Sequence, residues 1–253
     1  MQLRFLGTGT SMGVPVIGCD CAVCTSDDPR NRRMRTSALL RSGGNTVMID
    51  VGPDFRHQAL AARLTRVDAV LLTHAHFDHV AGLDDLRPFC QRQGTIPIFG
   101  SDETLTMVRE RFAYAFDSGL SRGSSRPELD LQLIEQAFTL AGQTITPLPV
   151  LHGGWNVTAY RIGRLGYVTD ASHVPAETRA ALRGVDVLVL NALRLEPHPT
   201  HLSLSEALEV AAEIGAARTY LVHMTHTIDH RADYGLPAGV AFAYDGLEVE
   251  IPL

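Results

Sequence analysis

The sequence predicts an α/β fold in which two mixed β-sheets pack face to face with helices outside, an αββα sandwich in one domain over 1–253. Three observations lead there. Short strand-like runs alternate with helical stretches along the chain. With 253 residues and 45% hydrophobic content, the chain can bury one large core. In each half, histidines and aspartates follow directly on apolar runs, so each sheet carries polar chemistry at its carboxyl edge.

Period-two or continuous apolar patterning places strands at 2–6, 36–41, 45–49, 67–73, 96–99, 131–134, 143–150, 156–162, 165–169, 186–190, 217–222, 240–244 and 247–251. Helices are expected near 54–64, 102–116, 175–183 and 204–215. In the second of these, Leu105, Val108, Phe112 and Phe116 recur at helical spacing. The last opens on Ser203-Leu204-Ser205-Glu206, a capping box, and stops near Gly215. Ser118 to Pro127, with Gly119, Gly123, Ser124 and Ser125, reads as a loop. The helix and loop at 101–130 are either a cap over a substrate cleft or an ordinary surface connection. No repeat or low-complexity tract interrupts the pattern.

A net charge of −6 argues against a constitutive nucleic-acid surface. The basic run Arg30-Asn31-Arg32-Arg33-Met34-Arg35 is a local exception, read as a solvated or structurally paired segment. No apolar stretch approaches the roughly 18 residues of a membrane span. Met1 to Leu6 begins a strand instead of a signal peptide, so a soluble, cytoplasmic protein is expected.

His74-Ala75-His76-Phe77-Asp78-His79 carries the chemistry. It follows the apolar run Val67 to Thr73, and on extended backbone His74 and His76 share a face and can grip one cation. Asp78 and His79 fall past the strand end and can turn to a second cation. Imidazole and carboxylate suit zinc and its borderline neighbours and leave room for water. Three further strand ends complete the set: His152 after 143–151, Asp170 after 165–169, and His223 after 219–222. The expectation is His74, His76 and His152 on one metal, Asp78, His79 and His223 on the other, and Asp170 bridging them, as two-metal hydrolytic sites require.

With these motifs in this order, the chain resembles the metallo-β-lactamase superfamily of metallohydrolases from Leu3 to Ile251. The resemblance includes Asp50-Val51-Gly52, where the family usually keeps a buried Asp behind the first motif. Asp50 is read as orienting a metal-binding His, the alternative being a plain turn residue.

Cys19, Cys21 and Cys24 lie within six residues. Clustered thiols in an intracellular protein suggest a closed tetrahedral zinc site in place of a disulfide. Cys90 could supply the fourth ligand but reads as a buried apolar residue, and His226, three residues after His223, is preferred. A redox role for the thiols is the alternative.

Gly7-Thr8-Gly9-Thr10-Ser11-Met12-Gly13-Val14-Pro15, the cysteine cluster, Pro199-Thr200-His201-Leu202, His223-Met224-Thr225-His226 and Tyr244-Asp245-Gly246 narrow the resemblance to the PhnP-type phosphodiesterases of the carbon–phosphorus lyase pathway. The B-type pyrroloquinoline-quinone biosynthesis proteins share the cysteine loop, but the full metal-pair motif favours a hydrolase. That resemblance implies two catalytic divalent ions, Mn or Zn, one structural Zn, and a homodimer. It also implies hydrolysis of small, possibly cyclic, ribosyl or nucleotide phosphodiesters by a two-metal-activated hydroxide. Asp78 and His201 are the expected catalytic residues, His201 as general acid or phosphate-orienting group. A tRNA-processing nuclease and a lactone, lactam or thioester hydrolase are the alternatives. Asn191 stands where relatives often carry Asp, which touches metal or substrate preference. His57, His173, His198 and His230 lack comparable spacing and are read as surface or supporting residues.

Overall fold

A computed structural model describes residues 1–117 and 125–252. Among them, the amino-terminal half supplies β1 (Gln2–Gly7), β2 (Ser37–Ser42), β3 (Asn45–Ile49), β4 (Ala69–Leu71), β5 (Ile96–Gly100) and β6 (Leu129–Leu133). The other half supplies β7 (Phe138–Leu140), β8 (Gln143–His152), β9 (Trp155–Ile162), β10 (Leu165–Val168), β11 (Val187–Asn191), β12 (Arg218–Val222), β13 (Val240–Phe242) and β14 (Glu248–Glu250). They form two seven-stranded sheets, ordered β14-β1-β2-β3-β4-β5-β6 and β13-β12-β11-β10-β9-β8-β7. The β14 strand returns to pair antiparallel with β1, tying the end of the chain to the first sheet.

Alternation within the central strands builds three apolar layers. Ala38 and Leu40 of β2, Val47 and Ile49 of β3, Leu165 and Tyr167 of β10, and Val187 and Val189 of β11 meet between the sheets. Met48 points the other way, onto Phe55 of α1 (Phe55–Ala61), Phe89 of α3 (Arg87–Gln93) and Val108 of α4 (Asp102–Arg111); α2 (Phe77–Val80) precedes α3. On the opposite outer face, Leu188 and Leu190 pack against Leu182 of α6 (Ala176–Leu182) and Ala207, Val210 and Ile214 of α7 (Leu204–Ile214). Strands buried on both faces read as continuous apolar runs, which is why their faces could not be separated from sequence.

Several boundaries differ from expectation. The helix expected at 102–116 is broken at Phe112 (φ −111°, ψ 36°), giving α4 and the short α5 (Ala113–Phe116). The 67–73 run is ladder-paired only over Ala69–Leu71. The edge strand β7 has no run long enough to signal it. The α7 capping box forms as expected, and Gly215 closes the helix with φ 71°. Of the 118–127 loop, residues 118–124 lie outside the described residues. Among the described residues, no helix is long and apolar enough to cross a membrane.

Arg30, Arg33 and Arg35 of the arginine run are structurally paired. Arg30 bonds Asp28, Arg35 bonds Asp54, and buried Arg33 donates to the carbonyls of Thr225 (2.9 Å) and Ile228 (2.6 Å).

Strands β3 to β6 are mutually parallel, as are β10 to β13. β8 is antiparallel to β9, which is antiparallel to β10, so β8 runs with β10. The carboxyl ends of β3, β4, β8, β10 and β12 therefore open on one edge of the sandwich.

Candidate metal centre

Three of those strand ends turn through left-handed backbone. Asp50 (φ 59°), Asp170 (φ 54°) and His223 (φ 60°) are non-glycine residues with positive φ. Such residues cost about 1–3 kcal/mol each and persist only where surrounding contacts enforce them. Gly52 serves the same edge: a Cβ there would lie 2.0 Å from the Asp78 carbonyl, so only glycine lets the β3 turn approach the motif.

The expected residues converge. One ligand atom each from His74, His76, His152 and Asp170 lie within 4.8 Å of one another, as do those from Asp78, His79, Asp170 and His223, with Asp170 common to both groups. Around Asp170 the His223 Nε2 stands at 3.2 Å, His79 Nε2 at 3.3 Å and His74 Nε2 at 3.6 Å. Two ligands each about 2.0–2.2 Å from one tetrahedral ion stand about 3.3–3.6 Å apart, so this spacing suits a shared cation. The Nε2 atoms of His74, His79 and His223 are buried without a hydrogen-bond partner. Orphaned acceptors of this kind fit divalent ions, and the donor set suits zinc or manganese.

Burial alone would push Asp170 and Asp78 toward protonation. Electrostatic attraction from the neighbouring imidazoles, His223 and His79 at Asp170 and His79 at Asp78, outweighs it and holds both well below the usual carboxylate range. Burial likewise opposes charge on His79, but Asp170, Asp78 and Asp50 raise it. His74 is kept neutral by burial and by His79. The edge is thus a site for positive charge.

The imidazoles are oriented from behind. The Asp50 carboxylate accepts from the Thr73 N–H and hydroxyl at 2.8 Å and lies 2.7 Å from His79 Nδ1. Thr73 Oγ1 in turn lies 3.0 Å from His74 Nδ1. His152 Nδ1 donates to the Thr200 carbonyl at 2.6 Å. Each bond leaves Nε2 facing the cluster.

His201 enters from the loop before α7. Its ring stacks on His223 with centroids 4.8 Å apart and meets His152 edge-on at 4.5 Å. Its Nε2 is buried without a partner, 3.6 Å from Asp170 Oδ2, while Nδ1 lies 2.9 Å from Thr200 Oγ1. Burial, aided by His223 and His152, brings it down to about 4 although Asp170 pulls the other way. At the α7 N-terminus the Glu206 N–H bonds Ser203 Oγ, and the Leu204 N–H bonds the Arg194 carbonyl.

A second cluster lies one turn of loop away. His226 Nδ1 is 3.3, 3.5 and 3.4 Å from the sulfurs of Cys19, Cys21 and Cys24. The Val16 N–H bonds Cys24 Sγ and the Cys24 N–H bonds Cys21 Sγ. The latter bond brings Cys21 down to about 6, whereas burial pushes Cys24 up to about 11. Cys90 is elsewhere, in α3, with its thiol on the Glu128 carbonyl. Sequence reading did not single out Thr73, Thr200 or Trp155; Thr73 could have been suspected from its place beside His74.

The descriptive model of the beta-lactamase superfamily domain matches residues 45–224, and the chain belongs to that superfamily of metallohydrolases. A crystal structure of a diphosphatase from the PhnP family is 40% identical, covering 98% of this chain and 96% of that one, with a TM-score of 0.91. The octanoyltransferase of Porphyromonas gingivalis is 37% identical over 99% of this chain, which spans 52% of that protein's length. A coenzyme PQQ synthesis protein B of Methylobacterium nodulans is 37% identical over 76% of this chain and 72% of its own.

Proposed function

We propose that the chain is a metal-dependent hydrolase of small phosphodiesters, including diesters of diphosphate. The observation that carries this reading is His201: an imidazole outside both ligand groups whose partnerless Nε2 is aimed at Asp170 and the space between them. His74, His76 and His152 would hold one divalent ion, Asp78, His79 and His223 the other, and Asp170 both. Bound there, such ions lower the pKa of water and balance charge on the attacking and leaving oxygens of an in-line displacement.

The chain's own groups do the rest. The Thr200 hydroxyl lies 2.9 Å from His201 Nδ1, and by donating there it would select the tautomer whose Nε2 carries the proton. That Nε2–H would serve as a hydrogen-bond donor to the leaving oxygen or to a non-bridging phosphoryl oxygen. Asp78, beside His79 in the motif, would act as a ligand to the second ion. Cys19, Cys21, Cys24 and His226 would hold a structural zinc that pins the loop bearing His223. The likeness to a diphosphatase supports phosphorus over a carbonyl carbon as the centre attacked.

The test is a panel with metal-loaded protein: bis-p-nitrophenyl phosphate, a 2′,3′-cyclic nucleotide, a nucleoside diphosphate sugar, a lactone and a β-lactam. Turnover of one or more phosphorus substrates and neither carbonyl substrate is expected. Preferential lactone or β-lactam hydrolysis would overturn the reading.

A further inference from the structure

His74, Asp78, His79, His152, Asp170 and His223 are buried, and of the seven candidate ligands of the pair only His76 reaches partial exposure. The ligand set of the pair is thus exposed to solvent at His76. There the chain places its single tryptophan. Trp155 opens β9 and pairs with His152 across the two-residue Gly153-Gly154 turn, so the hairpin fixes it beside one candidate ligand. Its ring centroid lies 5.2 Å from that of His76, tilted by 48°. It nevertheless remains 44% exposed, and Phe77, directly after His76, is 71% exposed.

An indole braced on a ligand imidazole and left open to solvent is a surface for a flat group. Divalent ions held by the two ligand groups would disfavour a cationic partner, which removes the quaternary ammonium ligands that aromatic faces otherwise recruit. A neutral heteroaromatic base stacks there without that penalty, and stacking of this kind is indifferent to which base is present.

We propose that Trp155 is the stacking platform for the base of a nucleoside-type substrate, so that the preferred diesters are base-bearing and not simple sugar phosphates. This rests on the phosphodiester reading above. It makes Trp155 a specificity residue acting on the part of the substrate remote from phosphorus.

Two measurements test it. In the first, kcat/KM is compared for adenosine 2′,3′-cyclic phosphate and for methyl riboside 2,3-cyclic phosphate, which presents the same reacting centre without a base. The parent enzyme should prefer the former, and Trp155→Ala should reduce that preference roughly tenfold, while Trp155→Phe, which keeps a ring, should retain most of it. An unaltered preference in Trp155→Ala overturns the platform. The second measurement needs no turnover: Trp155 is the sole indole, so its emission reports on its own face. Titration of the metal-loaded protein with AMP should quench it saturably at concentrations where ribose 5-phosphate does not. Equal quenching by both overturns the platform. Failure of the parent to hydrolyse either diester, with selective quenching by AMP, would count against the phosphodiester reading and leave the platform standing.

Discussion

The side-chain amide of Asn191 closes two hydrogen bonds on the backbone of Ala171, accepting from its N–H at 2.8 Å and donating to its carbonyl at 3.0 Å. Ala171 follows Asp170, whose φ of 54° is otherwise unfavourable. The neighbouring strand β11 thereby holds the carboxylate common to both ligand groups. Aspartate at 191 could only accept, and its second oxygen would face the Ala171 carbonyl. Asn191→Asp should therefore cost about 1–3 kcal/mol in urea unfolding. Its affinity for the catalytic ions should fall about 10–100-fold by titration. Parental values for both would show that the amide clamp does not position Asp170.

The cysteine cluster predicts a separate effect. Cys21→Ser should lose one zinc per chain by elemental analysis and unfold at lower temperature, because binding at a closed site contributes to folding. The loop from His223 to His226 joins the two clusters, so some activity should be lost as well. Full zinc content with an unchanged Tm would remove the structural assignment.

Much of this was legible in the chain. Every expected ligand is a His, Asp or Cys at a strand end or in a tight loop, where spacing and residue type report directly on chemistry. The alternation of strands and helices followed from apolar runs and their order, and the αββα layering from the resemblance to the superfamily. What escaped reading depends on partners distant in sequence. Asn191 appeared only as a missing charge, since its value lies in a backbone it meets 20 residues away. Arg33 could be read only as part of a solvated or structurally paired run, because nothing local reveals that it reaches Thr225 and Ile228. Trp155 gave no signal, since an aromatic residue opening a strand is ordinarily core.

Asp50 supplies a prediction on the supporting bonds. It accepts from Thr73 twice and faces His79 Nδ1, so it needs two acceptor oxygens. Asp50→Asn replaces one with a donor and disturbs either His79 or Thr73. Metal affinity should drop about 10–100-fold with the fold retained, read by titration alongside circular dichroism. Undiminished affinity would reduce Asp50 to a turn residue.

Asp245 predicts a pH effect away from the metals. It is buried, accepting from Thr8 Oγ1 at 2.8 Å and from the Met34 N–H at 2.7 Å, and burial pushes it from 3.8 up to about 7. Because the folded pKa is raised, the folded state retains the proton between these values. The associated stability is fully present below about pH 4 and is lost as pH rises through about 7, by at most roughly 1.4 kcal/mol per pH unit. Asp245→Asn should lack this component. Its unfolding free energy relative to the parent should shift in its favour between about pH 5 and about pH 8. A difference independent of pH would show that Asp245 is ionised throughout.

His201 carries the sharpest prediction, because its role separates from metal binding. It lies outside both ligand groups, and its buried Nε2 faces Asp170 at 3.6 Å. His201→Ala should therefore keep full metal content and its fold. Turnover of a diester with a poor alkoxide leaving group should fall roughly 10²–10⁴-fold, the range expected when a positioned proton donor is removed. A p-nitrophenolate departs without protonation, so bis-p-nitrophenyl phosphate should suffer much less if the Nε2–H serves the leaving oxygen. Equal losses on both substrates would assign that proton to a non-bridging phosphoryl oxygen. No loss on either would leave His201 as a ring packed between His223 and His152, and would take from the phosphodiester reading the observation on which it stands.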